Sequence, residues 1–161
     1  MPTYSFHLRQ STEMDWKSFT EFFEGDGAVS VRLGRAEGSK VLQICIVVGQ
    51  KWRPKLEQID HFFRAMGIDS GRIYAQKYGY TLRVFRISAV QKILAGMLVY
   101  SFLKKEQIRA ALDYLAGRIT GDGLIAIFNH EYDLGKRRRR PPSASVPLRK
   151  RDPSHAKGRQ N

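Results

Sequence analysis

The sequence has a single cysteine, no long apolar run and no apolar leader. The one cysteine, Cys45, excludes an intramolecular disulfide framework and a cysteine-rich zinc site, so we expect a reducing compartment and oxygen ligands for any metal. The longest apolar stretch, Ile93 to Tyr100, has eight residues, whereas a membrane-spanning helix needs about 20. Residues 1–10 lack the apolar core of a secretory signal. These absences predict a soluble, intracellular protein with no membrane partner.

The positive charge is concentrated near the C-terminus. The 161 residues carry a formal net charge of +13, and residues 136–161 hold ten Lys and Arg against one acid, Asp152. The same segment contains four of the six prolines and few aliphatic residues, which predicts a disordered basic tail after one folded domain at 12–135. Two interpretations of the tail stay open: attraction to nucleic-acid phosphates, or a solubilising extension or localisation signal.

Hydrophobic periodicity predicts the order helix, two strands, helix, two strands, helix, helix. Strands joined by short turns indicate an antiparallel four-stranded sheet with helices on one face, an α+β architecture. Residues 124–134 fit helix or strand equally. The predicted elements are a helix after Asp15, strands at Ala28–Leu33 and Val41–Val48, a helix from Pro54 to Gly67, strands at Arg72–Gln76 and Tyr80–Ile87, a helix from Ser88 to Tyr100, and a helix at Ile108–Ile119.

A sheet covered on one side has a free face on the other. A two-stranded β-ribbon fits the DNA major groove, where Arg pairs with guanine and Gln with adenine. An ordinary solvated sheet face is the alternative interpretation. The long polar side chains predicted on the free face are Arg32, Gln43, Tyr74, Gln76, Thr81 and Arg83.

A carboxylate lies between two glycines where the first helix meets the first strand. These residues are Gly25, Asp26 and Gly27. Carboxylate oxygens are the hard ligands that Mg²⁺ prefers, and glycine lets the backbone approach a ligand closely. A helix end followed by a capped turn is the alternative explanation.

The segment Phe19–Gly27 reads FTEFFEGDG and precedes a strand, so it resembles the signature of the LAGLIDADG homing endonucleases. The predicted element order is also similar to the αββαββα unit of that family. The resemblance implies that two signature helices pack along a two-fold axis above a saddle-like DNA-binding face. The family usually has a small residue where this chain has Glu21.

The resemblance also implies an active site. Asp26 would bind a divalent metal, Mg²⁺ or Mn²⁺, together with the backbone carbonyl of Gly25. Gln50 would lie near the scissile phosphate, as would Lys104 or its neighbour Lys105, and a lysine there can stabilise developing charge. The residues expected to contact DNA are Ser30, Arg32, Arg35, Lys40, Gln43, Lys51, Arg53, Arg72, Tyr74, Gln76, Lys77, Thr81 and Arg83.

A second segment, Leu115–Gly123, reads LAGRITGDG and also resembles the signature, which makes Asp122 a possible second metal ligand. Only 39 residues follow Asp122, which is too few for another complete unit. Three interpretations remain. The chain is a one-motif enzyme that forms a homodimer through its first helix, a two-repeat protein cut short, or a swapped dimer in which Asp122 is catalytic.

The function implied by the resemblance is site-specific cleavage of double-stranded DNA by metal-dependent phosphodiester hydrolysis, associated with an intron or intein. Such a protein is expected in an organelle, chloroplast or mitochondrion, or in a prokaryotic cytoplasm. Two alternatives are an intron-encoded maturase that binds intron RNA and a catalytically inactive or truncated DNA-binding relative. Trp16 and Trp52 are interpreted as core and interface anchors rather than base-stacking platforms.

Overall fold

A computed structural model describes residues 13–36, 39–69 and 71–129. The described elements confirm the predicted α+β order, whereas the predicted tail at 136–161 lies outside the described residues. Among the described helices, none has the length and apolarity to cross a membrane. The elements are α1 (Trp16–Asp26), β1 (Gly27–Ala36), β2 (Ser39–Gln50), α2 (Arg53–Ala65), β3 (Arg72–Gln76), β4 (Gly79–Val84), α3 (Ile87–Leu98), α4 (Lys105–Leu115) and α5 (121–129).

The four strands form one antiparallel sheet in the order β1-β2-β4-β3. Val29 pairs with Ile46 and Val48 pairs with Leu82, so these side chains share one face. All four are buried against the helices. The sequence alternation predicts Val29 and Leu33 on the core side of β1 and Ile44, Ile46 and Val48 on that of β2. It is confirmed at all of these positions except Leu33, which is 70% exposed near the end of the hairpin. The polar positions of the strands lie on the opposite face.

Helix α1 begins at the predicted cap, because the Asp15 carboxylate accepts a hydrogen bond from the Ser18 backbone N–H at 2.7 Å. Its aromatic side packs against α2. The ring centroids of Phe19 and Phe63 are 4.9 Å apart, and those of Trp16 and Phe62 are 5.0 Å apart. This aromatic cluster fixes α1 beneath the sheet.

Helix α3 approaches α1 closely at a glycine. A Cβ at Gly96 would lie 2.6 Å from the Trp16 indole ring, so a larger residue would push the two helices apart. With α2 and α3 packed on it, α1 leaves one exposed stripe, formed by Lys17, Glu21 and Gly25 at helical spacing.

Several predicted boundaries were wrong by a few residues. Strand β4 ends at Val84 instead of reaching Ile87, because Ile87 already begins α3. Helix α4 ends at Leu115 instead of Ile119, because the chain turns at Gly117, whose φ of 73° is in the left-handed region. The open choice at residues 124–134 is decided as helix as far as residue 129.

Candidate active site and nucleic-acid interface

The C-terminal end of α1 presents Asp26 at the surface. Helix α1 ends at Asp26, and β1 begins at the next residue, Gly27. A Cβ at Gly27 would lie 2.1 Å from the Phe23 ring, so only glycine lets the strand start there. The Gly27 N–H also donates to the carbonyl of Phe23. The buried Phe23 ring thus determines where the exposed carboxylate is held.

Gln50, the last residue of β2, contacts Asp26. Gln50 has the same strand parity as Ile46 and Val48, so its side chain lies on the helix-covered face. Its Nε2 donates to Asp26 Oδ2 at 3.1 Å, and its Oε1 accepts from the Lys51 backbone N–H at 3.0 Å. The second bond orients the amide so that its NH₂ group points to the carboxylate.

Lys104 reaches the same helix end from the α3–α4 connection. Its Nζ donates to the backbone carbonyls of Phe23, at 3.1 Å, and Glu24. A cation there is favourable because a helix C-terminus carries partial negative charge. Burial lowers the pKa of Lys104, although the charges of Glu24 and Asp26 act in the opposite direction. Of the two predicted lysines, Lys104 is the one held at α1, and Lys105 begins α4.

Sequence reasoning missed Glu24, which joins α1 to the start of α4. One carboxylate oxygen, Oε1, accepts from Ser101 Oγ at 2.8 Å and from the backbone N–H groups of Leu103, at 2.7 Å, and Phe102. Burial raises the pKa of Glu24, but these hydrogen bonds outweigh it and leave the pKa below its ordinary value. The available signal was an acid in the last turn of a helix, where negative charge is unfavourable without a partner.

The last turn of α1 provides ligands for part of a cation site. Asp26 is exposed, and the carbonyl of Gly25 belongs to the final turn, where helix carbonyls have no partner within the helix. Among the described residues nothing lies within 4 Å of a Cβ built at Gly25, so none of these neighbours requires glycine there. No group of three or more His, Cys, Asp or Glu capable of holding a metal occurs among residues 13–36, 39–69 and 71–129. Of the described residues, Asp26 is the one carboxylate that lines the cleft at this helix end, so a metal site with two carboxylates requires a second chain.

Asp122 lies in different surroundings. The residues before it are a turn, and α5 begins at residue 121, so Asp122 is in the first turn of a helix and not the last. The resemblance of Leu115–Gly123 to the signature therefore does not extend to its conformation. The segment is the end of α4, a turn and the start of α5, and not one continuous helix that ends at its acid.

The polar sheet face has the predicted composition on β2, β3 and β4. Gln43, Tyr74 and Gln76 are exposed, and Thr81 and Arg83 are half-buried. The Arg83 guanidinium stacks on the Tyr74 ring at 5.8 Å, and its buried Nε has no hydrogen-bond partner among the described residues. A donor without a partner on a polar face is available to an acceptor from a ligand.

The other predicted contacts lie at the sheet's first hairpin and its ends. On β1, Arg32 is exposed and Ser30 half-buried, and Arg35 pairs with Lys40 across the β1–β2 register. Arg72 pairs with Arg83, so two cations are neighbours on one face. Arg53 differs from expectation, because it forms an ion pair with Glu57 at 2.8 Å on α2.

A cleft of about 570 Å³ connects the carboxylate to one end of the sheet. It brings Asp26 and Gln50 together with Lys51, Lys77 and the β3–β4 turn. Two of the predicted phosphate contacts thus line the same cleft as the proposed metal ligand.

No protein-family model matches the sequence, and no curated protein matches it. Solved structures of homing endonucleases do match. The archaeal intron-encoded enzyme I-Vdi141I, complexed with DNA, is 23% identical with a TM-score of 0.55, and the match covers 75% of this chain and 82% of that one. I-CvuI, bound to its target in the presence of Ca, is 16% identical with a TM-score of 0.57, covering 75% and 80%. It was also solved on uncleaved DNA with Mg.

The LAGLIDADG homing endonuclease I-SmaMI, bound to cleaved DNA, is 18% identical with a TM-score of 0.56. The match covers 71% of this chain but only 41% of I-SmaMI. At such identities the likeness is one of fold. This chain has the fold of the LAGLIDADG homing endonucleases, as the resemblance predicts. The match spans 80% of I-CvuI and 82% of I-Vdi141I.

Proposed function

We propose that this protein is an endonuclease that cleaves both strands of DNA by metal-dependent phosphodiester hydrolysis. The observation that supports this most directly is the convergence on Asp26, where α1 ends. Gln50 contacts its carboxylate, and Lys104 binds the carbonyls of Phe23 and Glu24, three and two residues before it. These residues come from three distant segments, so a structural role in one turn does not account for them.

The sheet face supplies the DNA-binding surface of this proposal. Its arginines and glutamines are the side chains that read guanine and adenine in the major groove. Lys51 and Lys77 lie in the cleft beside Asp26, where they would contact phosphates next to the cleaved bond. In this proposal the sheet face recognises the DNA bases, and the neighbouring cleft positions the phosphates.

The proposed cofactor is Mg²⁺ or Mn²⁺, held by the Asp26 carboxylate and the Gly25 carbonyl. The donors fit, because both are hard oxygen ligands and the helix C-terminus favours positive charge. When bound, such an ion lowers the pKa of a water and stabilises the leaving oxygen. The chain's own part is to orient Asp26 through Gln50 and to hold the Lys104 ammonium where charge develops on the phosphate.

The proposed active form is a homodimer. The described residues of each chain place one carboxylate, Asp26, in this cleft, and two strands must be cut, so a two-fold axis beside α1 would supply the second. Gly25 supports this arrangement, because glycine in a helix costs about 1 kcal/mol relative to alanine and no neighbour in the described part of the chain requires it. Glu21, on the same exposed stripe, would lie close to its counterpart in the partner.

Cleavage of supercoiled plasmid carrying candidate target sequences tests the proposal. The wild-type chain should linearise target plasmid when Mg²⁺ or Mn²⁺ is present and not in EDTA. Asp26→Asn should lower the rate at least about 10³-fold, whereas Asp122→Asn, its matched control in the second motif, should leave the rate unchanged. Equal metal-dependent cutting by wild type and Asp26→Asn would contradict the proposal.

Intron association belongs to the same proposal, because I-Vdi141I is intron-encoded. The RNA-binding alternative makes a different prediction for Asp26→Asn. A maturase would bind intron RNA and promote splicing equally well with and without this carboxylate. Splicing activity that survives Asp26→Asn, in a chain that never cuts DNA, would favour the maturase.

A further inference from the structure

Two turns meet at the rim of the Asp26 cleft. One is the bend at Lys51 and Trp52 that follows β2, and the other is the β3–β4 turn at Lys77 and Tyr78. A Cβ at Gly79 would lie 2.6 Å from the Gln50 carbonyl oxygen and 3.0 Å from the Lys51 Cα. The two turns are therefore in backbone contact, and this contact depends on glycine.

Each turn exposes a large aromatic side chain. Trp52 is 68% exposed and Tyr78 is 77% exposed. Trp52 therefore lies outside the core of the single chain, whereas Trp16 packs against that core, and an interface role for Trp52 stays a prediction. Trp52 precedes α2 without making a side-chain capping bond, so capping does not explain it either. Single exposed rings are common, whereas exposed rings grouped together indicate a binding surface, and these two rings lie on turns that are in backbone contact.

The same rim is cationic. Lys77 lies over the Tyr78 ring at 5.1 Å, and Lys51 is exposed beside Trp52. Neither lysine forms an ion pair within the described ranges. Lysines and aromatic rings interleaved along a groove are the combination that binds single-stranded nucleic acid, because every base has a face that stacks and every nucleotide has a phosphate.

We propose that Trp52 and Tyr78 form a stacking platform for an unpaired nucleotide of a DNA strand, whose phosphates contact Lys51 and Lys77. Because these lysines line the cleft that contains Asp26, a base held on the platform keeps its strand beside the carboxylate. The inference rests on the proposed function in taking nucleic acid as the ligand. It adds that the protein prefers DNA that is unpaired at the rim, since a paired base offers no free face.

A protein partner is the competing explanation for exposed aromatic rings. The charges favour DNA, because hydrophobic interface centres are depleted of lysine and here each ring has a lysine beside it. A second copy of the chain would bring four of these cations together. The platform is also formed by two turns that adjoin the Asp26 cleft, where a DNA strand would have to lie.

Binding of labelled DNA, followed by fluorescence anisotropy, tests the platform. The probes are oligothymidine, a short duplex with one unpaired nucleotide, and the same duplex fully paired. The full chain should bind oligothymidine and the duplex with one unpaired nucleotide more tightly than electrostatic attraction to their phosphates alone explains. Trp52→Ala with Tyr78→Ala should weaken binding to both about tenfold or more while leaving the paired duplex nearly unchanged. Trp52→Phe with Tyr78→Phe should restore it.

Two controls separate stacking from charge and from general damage. Tyr100→Ala removes an exposed aromatic ring outside the platform, so it should change none of the three affinities. Lys51→Ala with Lys77→Ala should weaken every probe and lower the salt dependence of oligothymidine binding by about 1.4 units of log–log slope.

Three results would overturn the platform. The first is that Trp52→Ala with Tyr78→Ala loses equal affinity for paired and unpaired probes, and the second is that it loses none. The third is that this variant sediments differently from the wild type without DNA, while its DNA affinity is unchanged. The last would assign the rings to a protein interface. Plasmid cleavage is scored separately: a chain that prefers unpaired DNA but never cuts contradicts only the proposed nuclease, and a chain that cuts without the preference contradicts only the platform.

Discussion

Two segments of this chain share a pattern but have opposite structures. Phe19–Gly27 and Leu115–Gly123 both end in Gly-Asp-Gly. In the first segment the acid ends a helix, and in the second it lies in the first turn of one. An acid is stabilised at a helix N-terminus and destabilised at a C-terminus. Asp122 therefore needs no further explanation, whereas Asp26 requires nearby positive charge.

The third position of each segment explains the divergence. Glu21 occupies it in the first segment, where it continues the helix, and Gly117 occupies it in the second, where a φ of 73° ends the helix. The sixth position differs as well. Glu24 accepts hydrogen bonds from N–H groups near the start of α4, about 80 residues away. Thr120 instead precedes α5, and its Oγ1 caps this helix by accepting from the nearby Gly123 N–H at 3.2 Å. The residue at the sixth position thus stabilises a distant part of the chain in the first segment and its own helix start in the second.

The largest expected effect tests the positive charge that only the first acid has. Lys104→Met should lower the rate of metal-dependent cleavage about 10²-fold, because an ammonium near developing phosphate charge is lost. Lys105→Met, its neighbour, should cost little. Single-turnover rates on target DNA measure both. Since the pKa of Lys104 is lowered, the wild-type rate should fall with rising pH before an ordinary lysine deprotonates, and Lys104→Arg should extend the active range. Equal rates for both methionine variants would remove Lys104 from the site.

The final glycines of the two segments provide the next comparison. Gly27→Ala should lower the free energy of unfolding by about 1–3 kcal/mol, because its methyl group would overlap the buried Phe23 ring. At Gly123 the nearest atom to a Cβ is 3.5 Å away, so Gly123→Ala should change stability by no more than about 0.5 kcal/mol. Urea denaturation measures both, and similar losses would show that this contact does not distinguish the segments.

Glu24 and Thr120 test whether the capping at the sixth positions is distant or local. Glu24→Ala should lower the free energy of unfolding by about 1–2 kcal/mol, because the N–H groups of Phe102 and Leu103 lose their acceptor. The loss should appear as faster hydrogen exchange at residues 101–105. Thr120→Ala should increase exchange only around residues 121–124. Faster exchange confined to α1 in the Glu24 variant would contradict the proposed connection.

The smallest effect is a pH dependence that belongs to the first segment alone. The pKa of Glu24 is lower in the folded chain than in the unfolded chain, so its ionised form stabilises folding above the unfolded pKa of about 4.3. This contribution is lost as the pH falls through the lower folded value. Glu24→Gln should therefore flatten the stability curve below about pH 4. Thermal unfolding against pH measures it, and an unchanged slope would mean that other carboxylates dominate.

Much of the fold was accessible from the sequence because it follows from local patterns. Alternation in β1 and β2 assigned Ile44 and Ile46 to the core and Gln43 to the other face, as observed. The cap at Asp15 predicted the start of α1, and the short turns predicted an antiparallel sheet, whereas the pairing of β2 with β4 came from the structure. Gln50 and Lys104, singled out through the family resemblance, lie beside Asp26 in the structure. Their catalytic roles stay predictions.

The features that escaped prediction depend on neighbours far along the chain. The function of Glu24 in capping arises only when residues 101–104 come to the end of α1. The exposure of Trp52 and the contact at Gly79 that brings two turns together have no sequence pattern, because both depend on how the turn after β2 packs against β4.

The sequence by itself determined the alternation of helices and strands, the face that each strand buries, and the presence of an acid between glycines at the end of α1. Tertiary structure decided which residues surround that acid. The physical reason is range. Periodicity and capping act within a few residues, whereas the hydrogen bonds of Gln50, Glu24 and Lys104 join segments 24 to 81 residues apart and form only once the core has packed.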